Sequence, residues 1–370
     1  MIPVCMPYLN GNEKKYVDDC LQTNWISSSG KYVHLFEEKF SRYCGKKFGI
    51  ATTSGTTALH LALAASGVGP GDEIIMPAFA IASPAFATLY CGAKPVFVDV
   101  EPDTWNVDPE KIEEVITKKT KAIVPVHTYG HPCNMTAIMR IGRKHKLLVI
   151  EDAAEAHGAE YKGKKAGGIG YVSCFSFYGN KIVTCGEGGM VLTSDKKIAE
   201  RCRSLKNLSF LKEKRFWHKE LGFNYRMTNI QAAIGLAQFE RIDQYVRMRR
   251  ENAELYNSLL KDVPGIALPV ERPNVKNVYW MYSILIDKKL GMGRKKFMEK
   301  LKSKGIDTRT FFIPLHDQPI FKKMGYASRK YYPVAEDIAR RGLYLPSGSG
   351  LKKREIEYIC DCIRTIGRKK

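Results

Sequence analysis

Residues 147–191 have the sequence LLVIEDAAEAHGAEYKGKKAGGIGYVSCFSFYGNKIVTCGEGGMV. The apolar run from Leu147 to Ile150 ends in two acids, and a short apolar run between turn signals predicts a buried strand. A second apolar segment, Val172 to Phe177, is followed by a turn that carries Lys181. Because the chemistry of open α/β sheets lies at the carboxyl ends of their strands, we predict that the second acid, Asp152, and Lys181 line one pocket.

An acid and a lysine in one pocket suit a particular cofactor. Pyridoxal phosphate (PLP) needs a lysine for its Schiff base and an acid against its pyridine nitrogen. The acid keeps that nitrogen protonated, so the ring can take up the electrons of a substrate carbanion. A surface lysine and a buried, hydrogen-bonded aspartate are the alternative, and the spacing alone leaves both interpretations open.

Three motifs in this stretch, EDAAEAHG, FSFYGNK and GEGGM, resemble those of the DegT/DnrJ/EryC/StrS family of sugar-nucleotide aminotransferases. The resemblance covers nearly the whole chain and implies a PLP-dependent enzyme with the aspartate-aminotransferase-like fold, fold type I. It implies that Lys181 carries the Schiff base and that Asp152 holds the pyridine nitrogen. Glu155 is expected near the cofactor ring, and Ser176 is expected to bind the phosphate. Some relatives have histidine in place of this lysine and catalyse dehydration, so Lys181 favours transamination.

The order of the predicted elements indicates the fold class. Strands and helices alternate from residue 48 to 177, which predicts an α/β fold with a mostly parallel sheet and helices on both faces. No GxGxxG motif follows the first strand, so a Rossmann dehydrogenase is disfavoured. The length of 370 residues favours a large and a smaller domain. We predict a PLP-binding domain at 1–260, including an N-terminal segment, and a small C-terminal α+β domain at 261–370.

Three elements are predicted inside the small domain. Val278 to Ile286 and Thr308 to Ile313 have the composition of strands, and Lys295 to Lys304 that of a helix ended by a glycine. The last helix carries an apolar stripe formed by Ile356, Ile359, Cys360 and Ile363.

The chain is strongly basic, with 59 Lys and Arg against 38 Asp and Glu and a formal net charge of +21. Such a balance can indicate a nucleic-acid partner. The basic residues, however, form small clusters throughout, without a basic tail or an aromatic-interleaved RNA motif, which is typical of a solvated surface. We therefore predict no nucleic-acid partner. A positive field would also suit a dianionic nucleotide sugar.

The sequence also bears on the compartment. No apolar stretch reaches 18 residues, so no transmembrane helix and no membrane partner are expected, and the N-terminus lacks the pattern of a signal peptide. The 10 cysteines are scattered and form no CxxC pair. We predict reduced cysteines and a cytoplasmic protein.

The segment Thr52 to Thr57 follows a short strand and precedes an apolar helix. A helix start presents free N–H groups and a positive dipole to an anion. Plain capping by Ser or Thr is the common alternative and stays open on the sequence. The family resemblance implies that Gly55 and Thr56 hold the cofactor phosphate.

Two stretches point to the substrate through the resemblance. The loop with Trp25, Ser27 and Ser28 resembles the perosamine-synthase branch of the family, in which it borders the sugar site; Trp25 could instead fill the core. The segment RTFFIPLH, residues 309–316, borders the substrate in relatives. His316 is therefore a candidate, although a lone histidine is more often structural.

The stretch GFNYRMTN, residues 222–229, is a family signature. It implies that Asn224 reaches into the neighbouring subunit and binds the cofactor phosphate, and hence that the protein is a homodimer with composite sites. Arg226 in the same stretch is a candidate for substrate binding. A turn asparagine that caps the following helix is the alternative, which spacing alone does not separate.

A metal site is also conceivable, because His127, His131 and Cys133 occur within seven residues. No fourth ligand lies nearby in the sequence, so we predict that no metal binds there.

The residue that stacks on the cofactor ring departs from the family pattern. Most relatives have an aromatic residue shortly after the second strand, and the aligned position here is Ile81. Either an aliphatic side chain covers the ring, or Phe79 takes that place.

The resemblance implies transfer of an amino group from L-glutamate to C4 of a 4-keto-6-deoxy nucleotide sugar, with GDP-4-keto-6-deoxymannose as the expected acceptor. A UDP-linked keto sugar is the first alternative. A non-catalytic PLP-domain protein or a nucleic-acid-binding protein is the second.

Overall fold

The computed structural model describes residues 1–211, 213–214, 216–326 and 331–368. The helices are α1 (Glu13–Gln22), α2 (Lys31–Tyr43), α3 (Gly55–Ala65), α4 (Ser83–Tyr90), α5 (Pro109–Ile112), α6 (Met135–His145), α7 (Lys196–Leu205), α8 (Asn229–Phe239), α9 (Ile242–Leu260), α10 (Arg294–Ser303), α11 (Pro319–Lys323), α12 (Pro333–Arg341) and α13 (Lys353–Arg368). The strands are β1 (Phe48–Thr52), β2 (Glu73–Pro77), β3 (Lys94–Val98), β4 (Thr120–Ile123), β5 (Leu148–Asp152), β6 (Glu160–Tyr161), β7 (Lys164–Lys165), β8 (Val172–Ser176), β9 (Gly189–Thr193), β10 (Ile266–Ala267), β11 (Val275–Lys276), β12 (Tyr282–Ile286), β13 (Arg309–Thr310) and β14 (Gly342–Leu345). Within these ranges, every helix is too short or too polar to span a lipid bilayer.

The central sheet has seven strands in the order β1-β9-β8-β5-β4-β2-β3. The neighbours β3 and β2, β2 and β4, β4 and β5, and β5 and β8 are parallel. Strand β9 lies antiparallel between β1 and β8. The predicted α/β fold with a mostly parallel sheet is therefore confirmed.

Helices cover both faces of this sheet. Side chains of successive strand residues point to opposite faces, and β5 shows the consequence. Val149 packs in a cluster with Ile138 and Ile141 of α6. Its neighbour Ile150 lies in the large core cluster that contains Leu59 of α3. Because both faces are buried, the strands are continuous apolar runs, as the sequence indicated.

A second sheet of four antiparallel strands has the order β10-β12-β14-β13. Helices α9, α10 and α13 supply apolar side chains to its core. The predicted apolar stripe of the last helix is confirmed, since its four residues, Ile356, Ile359, Cys360 and Ile363, are fully buried. A small third sheet has the order β11-β6-β7.

Two predicted strands of the small domain are shorter than expected. The strand predicted from Val278 begins only at Tyr282, because Tyr279 has a φ of 46°, which is incompatible with extended backbone. The predicted strand at 308–313 is reduced to Arg309–Thr310. The second sheet begins at Ile266, and the division of the chain at residue 260 stays a prediction.

The first acid at the end of β5, Glu151, is fully buried and anchors the sheet to the loop that follows β7. His127 accepts the N–H of Cys133 on Nδ1 at 3.1 Å, so its Nε2 carries the proton and donates to Glu151 at 3.0 Å. Further donors to the carboxylate are the backbone N–H groups of Gly167, Ile169 and Gly170. Burial acts to raise the pKa of Glu151, but these hydrogen bonds outweigh it and the pKa is lowered.

We expect Glu151→Ala to destabilise the protein by about 3 kcal/mol, because it leaves His127, two buried N–H groups and one part-buried N–H group without an acceptor. Urea unfolding followed by circular dichroism measures the change. Glu113→Ala is the matched control, since Glu113 forms a surface ion pair with Lys144, and its unfolding midpoint should stay almost unchanged. Equal midpoints for both variants would contradict the anchoring role.

Candidate active site

A cavity of about 370 Å³ lies at the carboxyl ends of β5 and β8, beside the start of α3. Six residues predicted from the sequence line it: Gly55, Thr56, Asp152, Glu155, Ser176 and Lys181. Other lining residues that the sequence analysis did not identify include Leu59, Ser83, Tyr178, Asn180, Glu187, Trp280, Phe312 and Tyr344. The structure therefore brings the acid and the lysine of the central stretch together.

Asp152 ends β5, where parallel pairing with Cys174 of β8 fixes its backbone. Its carboxylate is 2% exposed and accepts the N–H of Ala154 at 3.1 Å. Burial raises the pKa of Asp152, while the N–H of Ala154 and the charge of Lys181 act in the opposite direction. A cationic partner inside the cavity would therefore stabilise the carboxylate form of Asp152.

Lys181 lies on the turn after β8, where its N–H donates to the carbonyl of Tyr178 at 2.9 Å. Its side chain is 9% exposed, and Nζ lies 3.9 Å from Oε1 of Glu155. Burial lowers the pKa of Lys181, although Glu155 and Asp152 act to raise it. Lowering the pKa makes the neutral amine available, and only that form can accept a proton or act as a nucleophile.

Glu155 is buried in the turn that follows β5. Its Oε2 accepts the backbone N–H of Tyr129 at 2.8 Å, and Tyr129 has a left-handed φ of 52°. Burial raises the pKa of Glu155 to about 7. A carboxyl group with a raised pKa beside an amine with a lowered pKa forms a coupled pair that can exchange a proton.

The start of α3 forms a small polar cradle at one end of the cavity. Ser54 caps the helix and accepts the N–H of Thr57, so the capping interpretation is confirmed for Ser54. A Cβ at Gly55 would lie 2.7 Å from Cβ of Ser176, and the hydroxyl of Thr56 donates to Ser83 at 2.9 Å. The space beside Gly55 thus exists only because that residue has no side chain, and helix N–H groups and hydroxyls around it suit a phosphate.

Two observations test whether the donor set fits PLP. The cradle at Gly55 and the Asp152–Lys181 pair lie on the same cavity, as an anionic group attached to a pyridine aldehyde would require. In addition, Oδ1 of Asn180 is buried without a hydrogen-bond partner in the described part of the chain, and this residue lines the cavity. The residues present fit the cofactor.

Ile81 and Phe79, the two residues considered for ring stacking, have different surroundings. Ile81 lines the cavity and is 48% exposed. Phe79 is fully buried and packs against Tyr129, Phe311 and Phe312. The suggestion that Phe79 takes the stacking place is therefore wrong, because its ring belongs to the core, and the aliphatic Ile81 occupies the wall.

The loop with Trp25, Ser27 and Ser28 does not line the cavity of its own chain. Trp25 is 55% exposed, so the alternative that it fills the core is wrong. Two hydrogen bonds from Asn229 hold the loop in place. Its Nδ2 donates to the carbonyl of Trp25 at 2.6 Å, and its backbone N–H donates to the carbonyl of Ser27 at 2.9 Å.

Asn224, Arg226 and His316 also lie outside the cavity of their own chain. Nε of Arg226 donates to Oδ1 of Asn224 at 2.9 Å, so the two predicted residues are in contact. His316 is buried, packs against the ring of Tyr332 in a tilted arrangement and forms a 3.2 Å hydrogen bond with Glu336. Its surroundings thus resemble those of a structural histidine, and the substrate roles of all three stay predictions.

The residues of the zinc hypothesis are engaged in other contacts. His127 bonds to Glu151, His131 contacts the carbonyl of Pro132, and Cys133 contacts the carbonyl of Val126. In the described ranges, no group of three or more His, Cys, Asp or Glu residues could hold a metal ion.

The sequence model of the DegT/DnrJ/EryC1/StrS aminotransferase family matches residues 7–364. The GDP-perosamine synthase of Caulobacter vibrioides is 45% identical over 362 residues, 97% of this chain and 96% of that protein. The GDP-perosamine synthase of Escherichia coli O157:H7 is 43% identical over 364 residues, 98% of this chain and 97% of that protein. The crystal structure of S. venezuelae DesV in complex with a ketimine intermediate is similar with a TM-score of 0.91 and 34% identity, covering 97% of this chain and 95% of that one.

We expect Gly30→Ala to destabilise the protein by about 2 kcal/mol through overpacking. A Cβ at Gly30 would lie 2.0 Å from Cγ of Asn229, which is buried and cannot move away without losing its contacts to the loop. Thermal and urea unfolding measure the effect. Gly69→Ala is the control, because nothing lies within 4 Å of its added Cβ; an equal loss of stability in both variants would exclude the steric explanation.

Proposed function

Because the chain belongs to the DegT/DnrJ/EryC1/StrS aminotransferase family, we propose that it transfers the amino group of L-glutamate to C4 of GDP-4-keto-6-deoxy-D-mannose, which gives GDP-perosamine. The observation that carries the proposal is the meeting of Asp152 and Lys181 in one cavity. The GDP-linked acceptor is favoured by the full-length similarity to GDP-perosamine synthases.

We propose PLP as the cofactor, as the family implies. When bound, PLP supplies an electron sink that stabilises a carbanion next to the transferred nitrogen. Lys181 would hold it covalently and Asp152 would pair with its pyridine nitrogen. The remaining proposed ligands are Glu155 near the ring and, for the phosphate, Gly55, Thr56, Ser176 and, from the neighbouring subunit, Asn224.

Lys181 is the residue best placed to move protons in this cavity. Its Nζ is buried and its pKa is lowered, so the amine can take a proton from a donor carbon and return one to the acceptor carbon. Glu155, whose carboxylate is 3.9 Å away, compensates the charge while the amine is protonated. Burial of Lys181 and Glu155 excludes water, which strengthens the electrostatic attraction between the protonated amine and the carboxylate.

The substrate assay is the decisive experiment. We expect PLP-loaded protein to aminate GDP-4-keto-6-deoxymannose with glutamate, with kcat/KM at least about tenfold above that for a UDP-4-keto-6-deoxy sugar. Formation of 2-oxoglutarate and mass spectrometry of the sugar measure the reaction. Lys181→Ala should lose the near-visible absorption band and about 10³-fold or more of the rate.

Three outcomes of this assay would change the proposal. Preference for the UDP sugar would keep the aminotransferase and overturn the nucleotide. A band that survives Lys181→Ala would overturn the role of this lysine. Absence of transfer to either sugar would overturn the proposed reaction.

We further propose a homodimer with composite sites, located in the cytoplasm. Asn224 is exposed in the single chain. Large exposed apolar side chains occur in the loop with Ser27 and Ser28, namely Trp25 and Ile26, and shortly before Asn224 in the sequence, namely Phe216, Trp217 and Leu221. These features support a partner surface. All 10 cysteines are free, which supports a reducing compartment.

Mixed dimers test the composite site. Lys181→Ala and Asn224→Ala homodimers should each be nearly inactive, whereas dimers re-formed from an equal mixture should regain about a quarter of the wild-type activity, because one intact site forms in each heterodimer. Steady-state transfer measures the recovery, and sedimentation confirms the dimer. No recovery, although heterodimers form, would show that both residues serve the site of one chain.

A further inference from the structure

Trp280 is the aromatic residue that contacts the lysine directly. It lies just before β12, lines the cavity and is only 4% exposed. Nζ of Lys181 lies 3.5 Å from the centroid of the indole ring, closer than its 3.9 Å distance to Oε1 of Glu155. The free amine of Lys181 therefore lies between an aromatic face and a carboxylate.

Trp280 is held by one contact of its ring and by two contacts of its backbone. Its Nε1–H donates to the carbonyl of Asn180, the neighbour of Lys181, at 2.8 Å. The backbone carbonyl of Trp280 accepts Nη1–H of Arg249 at 2.6 Å. A Cβ at Gly130 would lie 2.9 Å from the backbone nitrogen of Trp280, so the glycine permits close backbone approach. These contacts fix the ring relative to the backbone of Lys181.

The face of an indole ring attracts a cation much more strongly than a neutral amine. The ring therefore favours the protonated form of Lys181, whereas burial favours the neutral form. The charged and titratable groups near Nζ come from three other segments: Asp152, Glu155 and His157 from the end of β5 and the turn after it, Cys5 from the N-terminal segment, and Arg249 from α9. The two acids favour the ammonium form and Arg249 opposes it.

We propose that Trp280 is a positioning residue for Lys181. The indole face of Trp280 holds the protonated amine of Lys181 beside Glu155 whenever this amine is not bonded to the cofactor. Loss of the proton weakens the attraction and frees the amine to move within the cavity toward the cofactor. Position and protonation of the lysine are thereby linked. The inference rests on the proposed function only in assuming that Lys181 alternates between a bonded and a free amine.

Competitive acetylation of cofactor-free protein tests the proposal without an activity assay. Isotopically labelled acetic anhydride reacts with the neutral amine, and mass spectrometry of the Lys181 peptide gives the labelling midpoint as a function of pH. Replacing the tryptophans by 5-fluoro- and then 5,6,7-trifluorotryptophan weakens the ring quadrupole with little change in ring size. We expect the midpoint to fall stepwise, by about one pH unit in total.

Trp280→Phe is the matched control for the fluorinated proteins. Its midpoint should lie below that of the wild type and should not respond to fluorotryptophan, because Trp280 is the tryptophan whose ring contacts the Lys181 amine in the described part of the chain. Trp105→Phe, which removes another buried indole, should keep both the wild-type midpoint and its response. Glu155→Gln should lower the midpoint and thereby shows that the assay detects a lost partner of the amine.

A midpoint that is independent of fluorination, or that responds equally in Trp280→Phe, would overturn the proposal and reduce Trp280 to a packing residue. The result is separable from the proposed reaction. A fluorine-dependent midpoint in a protein that aminates neither sugar would leave the positioning role in place while the substrate assignment fails. Amination with a fluorine-independent midpoint would do the reverse.

Discussion

Burial of one amine, that of Lys181, is the constraint around which the structure is arranged. A buried ammonium is costly unless it has partners, and this chain supplies them from distant segments: Glu155 after β5 and Trp280 before β12. Because each partner is itself held by backbone or buried contacts, the amine cannot be partnered unless the two sheets pack together. The chemistry of the cavity thus depends on the assembly of the whole described chain.

The two acids at the end of β5 point to opposite faces of the sheet and have different roles. Adjacent strand residues point in opposite directions. Glu151 turns away from the cavity and binds His127 and three N–H groups of a loop, whereas Asp152 faces the cavity. Glu151 thereby ties the central strand to a loop, whereas Asp152 accepts one backbone N–H and is left for the chemistry of the cavity.

The sequence predicted the parts of the site that local patterns encode. Apolar runs located β5 and β8, and their parallel pairing brought Asp152 and Lys181 together. Trp280 was not predicted because it reaches the cavity through packing of the second sheet and lies about 100 residues from Asn180 along the chain. The left-handed Tyr279 that ends the predicted strand early gives no signal in a hydrophobic pattern, since strain of this kind is imposed by tertiary contacts. The family resemblance, not periodicity, supplied the expected role of Asn224 in the neighbouring subunit and of Arg226 in substrate binding.

The cavity wall also divides by origin in the chain, and this division bears on ligand orientation. The segments from 54 to 83 contribute small, polar or aliphatic side chains such as Gly55 and Ile81, while the aromatic lining residues, Tyr178, Trp280, Phe312 and Tyr344, all come from later segments. An anion is therefore favoured at the start of α3, and cationic or flat groups are favoured beside the aromatic side chains. Ile81, which follows β2, has no ring quadrupole that could attract a cation. It therefore does not compete with the indole of Trp280 for the amine of Lys181. This asymmetry gives the cavity a defined polarity before any ligand enters.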